Sequence, residues 1–226
     1  MGASLQTFGA GTPSRSPKRE VFGEVPRIWP GSTIVCIACG PSLTPQDVEL
    51  VRQAHGAGRV RVIAINAAVR LAPWADVRFA HHAIDWQRPE DADLLAAFRG
   101  LRYGVDGDAA KLGVTILHIA NGGGLETSRR DTIKHGKNSG YQSINVAVHL
   151  GARRVVLLGY DLKRNASDQL HFYPCTGKAG KNDFAEWARY FATLPPDLAA
   201  AGVEVVNATR DTALNVFPQV PLEEAL

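Results

Sequence analysis

An α/β fold, with a mostly parallel sheet and helices on both faces, is what this sequence predicts. Three observations carry that expectation. Apolar runs of strand length alternate with helix-length stretches along most of the chain. The runs Thr33–Ala38, Arg61–Ile65 and Val155–Leu158 are nearly continuous in apolar residues, as suits strands covered on both sides. Small or polar residues then follow the strands (Gly40-Pro41-Ser42, Asn66, Asp161), beyond the carboxyl ends where such sheets place their ligands. The pattern is Rossmann-like.

The elements follow in order. Residues 1–22 are rich in Gly, Ser, Thr, Pro and basic side chains and poor in apolar ones, which predicts a disordered N-terminal tail. Residues 23–226 then form one nucleotide-binding domain. Thr33–Ala38 is its first strand, Cys39-Gly40-Pro41-Ser42-Leu43 a turn and Pro45–His55 a helix. Arg61–Ile65 and Val77–Ala80 are strands, Asp91–Phe98 a helix, and Leu101–Tyr103 and Val114–Ile119 strands. A loop begins at Asn121-Gly-Gly-Gly and runs to about Lys137. Asn138 or Ser139 caps the next helix through a short side-chain oxygen, and Gly151 closes it. After the Val155–Leu158 strand an irregular stretch covers Lys163 to Lys181. Asp183–Leu194 is helical, with Trp187, Tyr190 and Phe191 available to one face, and Val203–Asn207 is the last strand.

Bulk properties bound the function. With 226 residues, 45% hydrophobic and 21% charged, the chain can bury one full core. A net charge of +3 suits anionic ligands without requiring nucleic acid. No apolar run approaches the roughly 20 residues that span a bilayer. No secretory apolar segment opens the sequence, so a cytoplasmic location is expected. Three cysteines cannot form a disulfide framework without a leftover. Cys36-x-x-Cys39 lacks a second paired cluster for zinc, and Cys36 falls inside a strand; no metal site is expected.

The candidate chemistry sits at strand tips. Gly40 permits close approach of a ligand and Ser42 offers a hydroxyl, although the turn is neither a dinucleotide fingerprint nor a P-loop. Asn66 carries a paired donor and acceptor suited to a base or ribose, or caps the residues after it. His81 and His82 are adjacent, so one of them faces a given site, and Asp85 can orient it or bind a hydroxyl. Ser128-Arg129-Arg130 and Lys134-His135-Gly136-Lys137 make a basic approach to Ser139, able to neutralise a phosphate, or simply a solvated loop. His171 offers a base and Tyr173 a phenol for phosphate, with Lys178 and Lys181 nearby; aromatic anchoring of a loop is the alternative.

With these residues assembled, the chain resembles the bacterial family-42 sialyltransferases and a related set of bacterial and phage proteins that includes MptE-like pterin pyrophosphokinases. The resemblance runs from Thr33 to Phe217. It rests on Ala38-Cys-Gly-Pro-Ser-Leu43, on Asn66, on Ser139-Gly140, on Gly159-Tyr-Asp161, and on the closing Asn207-Ala-Thr and Leu214–Phe217. Those transferases carry an Asn where Cys39 stands here, and a phosphate-contacting tyrosine near the position of Lys163. Their lid carries the general base; here the corresponding region is short and His171 is the His within it. The resemblance implies an inverting, metal-independent glycosyltransferase that takes a nucleotide sugar, a cytidine monophosphate sugar in the sialyltransferases, and needs no cofactor. Gly40, Ser42, Asn66, Asn138, Ser139, Gly140 and Asp161 would hold the nucleotide. Lys163 and Tyr173 would meet the phosphate, and His171 or His82, with Asp85, would serve catalysis. The pyrophosphokinase side of the resemblance implies instead diphosphoryl transfer from ATP, with Mg²⁺ held by Asp85 and Asp161. A nucleotide-binding module without chemistry is the third expectation. The acceptor is not specified, and an oligomer is compatible with all three.

Overall fold

The computed structural model describes residues 22–174 and 183–226. Residues 1–21 of the expected tail, and Cys175, Lys178 and Lys181, lie outside the described residues. The chain runs β1 (Thr33–Ile37), α1 (Pro45–Gly56), β2 (Arg61–Ile65), β3 (Val77–Ala80), α2 (Ala92–Ala97), β4 (Leu101–Gly104), β5 (Thr115–Ile116), β6 (His118–Ala120), β7 (Thr132–Lys134) and α3 (Ser139–Leu150). It continues through β8 (Arg154–Leu158), α4 (Phe184–Phe191), α5 (Leu194–Ala200), β9 (Glu204–Asn207) and α6 (Leu222–Ala225).

Seven strands form one sheet in the order β5-β4-β3-β2-β1-β8-β9, and each neighbouring pair is parallel. Strand order therefore reverses beside β1, with β2 on one side and β8 on the other. The reversal opens a crevice between the carboxyl ends of β1 and β8, the usual ligand position in such sheets.

Alternation along β1 shows why both faces are covered. Ile34 and Cys36 enter one core layer, together with Ile144, Ala147 and Leu150 of α3 and Phe191, Leu194 and Leu198 of α4 and α5. Val35 and Ile37 enter the other, together with Val48, Val51 and Ala54 of α1 and Leu222 and Ala225 of α6. Each parallel crossover must carry its helix over one face, and the reversal at β1 distributes the helices over both. The α1 helix starts on a capping box: the Asp47 amide donates to Thr44 Oγ1 at 3.2 Å, and the Thr44 amide donates to Asp47 Oδ2 at 3.1 Å. Gly151 closes α3 in the left-handed region, at φ 106°.

One expectation needs correction, and two helices differ in their bounds. The Val114–Ile119 run is two strands: β5 joins the main sheet, while β6 leaves it and pairs in parallel with β7. That partner lies inside the stretch expected to be a loop, because an apolar run does not show a change of sheet. The helix expected over Asp91–Phe98 is α2, Ala92–Ala97, entered through a 3-10 turn over Pro89–Asp91. The helix expected over Asp183–Leu194 is α4, which ends at Phe191; α5, from Leu194 to Ala200, is a further helix with prolines in its first turn, where their missing N–H costs no bond. Among the described residues no helix is long and apolar enough to cross a membrane.

Candidate functional site

A cavity of about 280 Å³ opens at the crevice between β1 and β8. Its floor is the turn after β1 folded against the tip of β8. The Gly40 amide donates to the Gly159 carbonyl at 2.9 Å. A Cβ on Gly40 would overlap the Asp161 carboxylate and sit 2.5 Å from the Gly159 oxygen. Gly159 itself is at φ 75°, and its Cβ would lie 2.9 Å from the Ala38 carbonyl. These two glycines let the strand tips meet and let Asp161 lie across them. The room at Gly40 is thus filled by a side chain of this chain.

Asp161 is 2% exposed and accepts the Ser42 amide on Oδ2 at 2.8 Å. Its Oδ1 is buried without a hydrogen bond. Burial raises its pKa above the usual carboxylate value; Ser42 opposes the shift and Asp211 adds to it. Asn66, at the tip of β2, turns into the left-handed region at φ 51°, and its Oδ1 is likewise buried without a partner. Two acceptors beyond the tips of β2 and β8, the strands that flank β1, therefore lack donors, a condition that a ligand or water relieves.

The second wall is the start of α3. Asn138 is its cap: Oδ1 accepts the amides of Gly140 at 2.8 Å and Tyr141 at 3.2 Å. Tyr160 pins this end to β8, its hydroxyl donating to the Gly140 carbonyl at 3.0 Å. A Cβ on Gly140 would stand 2.8 Å from the Tyr160 ring. The helix thus presents its positive end, with Lys137 and Ser139, to the cavity. Lys137 and Leu162 hold φ of 58° and 51°. Together with Asn66 they line the cavity, so backbone conformations costly for non-glycine residues gather there.

The segment after β8 supplies the third wall. Lys163 pairs with Asp211 and lines the cavity. His171 lines it too, and its pKa is lowered by burial, partly offset by the Cys39 carbonyl. The fourth wall is aromatic: Phe184, Trp187 and Phe191 of α4. Their spacing of three and four residues marks one helix face, but the same spacing serves a core as well as a site. Tyr160, Leu162, Leu170, Phe184 and Trp187 are among the lining residues that sequence reasoning did not single out as site residues.

The cavity brings together Gly40, Asn66, His82, Asn138, Ser139, Gly140, Asp161, Lys163 and His171. Three other candidate residues stand outside its lining. Ser42 serves through its amide. Asp85 is ion-paired with Arg88 at 2.7 Å, and Tyr173 stacks on His171. His81 bonds Gln142 of α3 through Nδ1 at 2.9 Å, which leaves His82 to the cavity. Arg129 and Arg130 pair with Asp131 and Glu24, away from it. Cys36 and Cys39 are buried in opposite core layers, and burial pushes both thiols up to about 12, so neither is a ready thiolate. Among the described residues no group of three His, Cys, Asp or Glu side chains is arranged to hold a metal.

Sheet order and cavity together define a doubly wound α/β protein with a cleft of mixed polar and aromatic lining at its topological switch point. No protein-family profile matches the chain, and no curated protein sequence matches it. Among solved structures it is similar to the MAf glycosyltransferase from Magnetospirillum magneticum AMB-1, with a TM-score of 0.59 at 11% identity. That similarity covers 89% of this chain and 36% of the other, so this chain spans about a third of that protein's length. At this identity the likeness is one of fold.

Proposed function

We propose that the protein is a glycosyltransferase that binds a nucleotide sugar in the switch-point cleft and inverts the anomeric carbon without a metal. The observation that carries the reading is the pairing of unpartnered acceptors with cations in one cavity. Asp161 and Asn66, each with a buried Oδ1 that has no hydrogen bond, line it from the strand tips, while Lys137, the α3 N-terminus and Lys163, itself paired with Asp211, bring positive charge. A nucleotide presents hydroxyl and amine donors at one end and phosphate at the other, which suits that division. The fold similarity to a glycosyltransferase supports the same class.

On this reading Asn66 and Asp161 hold base and ribose, and Ser139 and Gly140 the phosphate. The acceptor hydroxyl attacks the anomeric carbon as the bond to the phosphate oxygen breaks. His171 or His82 takes the hydroxyl proton, and the leaving phosphate departs toward Lys137 and the helix N-terminus. The lowered pKa of His171 keeps its imidazole neutral near pH 7, as a base requires. A cytidine monophosphate sugar is the first donor to try. Calorimetry over cytidine, uridine, guanosine and adenosine nucleotides and their sugars tests the proposal; if none binds, it is lost.

Diphosphoryl transfer from ATP would call on Asp85 and Asp161 for Mg²⁺. Asp85 is engaged by Arg88, and Asp161 is the one carboxylate among the described lining residues. Transferase activity indifferent to a chelator is the expected result.

A further inference from the structure

Behind the cavity wall, rings and charges from separate segments stack on one another. The His171 imidazole lies nearly parallel to the Tyr173 phenol, with centroids 5.2 Å apart and planes 6° apart. The Arg70 guanidinium, from the turn after β2, lies over the same phenol at 5.0 Å from its centroid. Arg70 is in turn held in a fork: Nε donates to Asp91 Oδ1 at 2.7 Å and Nη2 to Asp91 Oδ2 at 3.0 Å, and Asp91 is 2% exposed. Between the two rings, the Phe172 amide donates to the Cys39 carbonyl at 3.1 Å, which pins the segment to the turn after β1.

We propose that Tyr173 and Arg70 are positioning residues for His171: Arg70, braced by Asp91, holds the phenol, and the phenol sets the plane of the imidazole at the cavity wall. The proposal rests on the reading of His171 as the base. A histidine on an irregular segment has several rotamers open to it, and only one plane aims its ring nitrogen at a bound acceptor. Parallel ring contact restricts that plane. The guanidinium fork restricts the ring in turn, because two bonds to one carboxylate fix both distance and orientation.

The charged groups facing His171 come from several elements. Arg88 and Asp85 lie on the turn after β3 and Arg164 on its own segment, while Asp161, Lys163, Lys137 and His82 share the cavity. Burial is the main cause of its lowered pKa; Arg88 and Arg164 add to it and Asp85 opposes. Loosening the stack lets water reach the ring, so its titration midpoint should rise toward the ordinary imidazole value of about 6.5.

The test is an NMR titration of the histidines in the full chain, for the parent, Tyr173→Ala, Tyr173→Phe and Arg70→Lys, with steady-state kinetics alongside. Tyr173→Ala is expected to move the His171 midpoint upward and to lower kcat roughly 10- to 100-fold, as a misplaced base would. The KM for donor should stay near the parent's. Tyr173→Phe keeps the ring and should keep the parent midpoint. Arg70→Lys keeps the charge but loses the fork, and should shift the midpoint in the same direction by less. An unmoved His171 midpoint in Tyr173→Ala overturns the proposal. Equal shifts in Tyr173→Phe and Tyr173→Ala also overturn it, since the hydroxyl would then be the operative group. If Tyr173→Ala does not fold, an unmoved midpoint in Arg70→Lys overturns it instead. The titration needs no substrate, so a parent that binds no nucleotide defeats the proposed function and leaves the stack to be judged by NMR.

Discussion

Asp161 keeps one carboxylate oxygen on the Ser42 amide at 2.8 Å and leaves the other buried without a hydrogen bond. A carboxylate so placed costs stability, and in the proposed function it is held for the ligand. Because its folded pKa is raised, the folded chain binds more protons than the unfolded one between the two values. Stability from this group is therefore full below the unfolded value and is lost as pH rises through the folded one. At neutral pH, Asp161→Asn should raise Tm in a thermal melt while weakening nucleotide affinity about 10- to 100-fold, the usual worth of a charged hydrogen bond. A lower Tm would remove the argument. Gly40→Ala tests the neighbouring contact: a methyl there meets the Asp161 carboxylate and the Gly159 carbonyl, so a loss of roughly 1–3 kcal/mol is expected in denaturant titration.

Two helices act on the cleft as units. The α3 helix brings its N-terminus to the cavity because Asn138 caps it and Tyr160 fixes it to β8. Asn138→Ala should lower stability by about 1 kcal/mol through the lost cap. It should also weaken phosphate-bearing ligands more than nucleosides, since in the proposed function the phosphate meets the helix end. Equal weakening of both would place the phosphate elsewhere. The α4 helix contributes differently. Phe191 is buried in the core, whereas Phe184 and Trp187 are partly exposed and face the cavity. Trp187→Ala should therefore leave Tm within about 2 °C of the parent and reduce ligand affinity in calorimetry. A large drop in Tm would make Trp187 a core residue.

At the scale of the whole molecule the sheet order decides where ligand binding is felt. The cleft joins β1, β2 and β8 with α3 and the segment after β8, so a ligand there should stabilise the fold cooperatively. Free nucleotide at a hundredfold its Kd should add about 2.7 kcal/mol, visible as a raised Tm in a thermal-shift screen. Much of this architecture was legible in the chain. Arg61–Ile65 and Val77–Ala80 stand where their apolar runs predicted, and Asn66 and Asp161 stand at strand tips as expected. Strand periodicity and helix caps are local, so local residues report them. Partners are not local. The Val114–Ile119 run gave no sign that β6 would leave the sheet for β7, and the prolines of α5 hid a second helix. Asp85 and Tyr173 carried the right chemical groups, but the Arg88 and Arg70 that engage them come from elsewhere in the chain or from a turn whose geometry no spacing shows. By itself, the sequence determined the α/β class, the strand tips and the polar residues on them, because burial and capping write directly into neighbouring positions. Only the tertiary structure decided which of those tips share a cavity, since that follows from strand order, and strand order is set by crossovers that bring distant residues together.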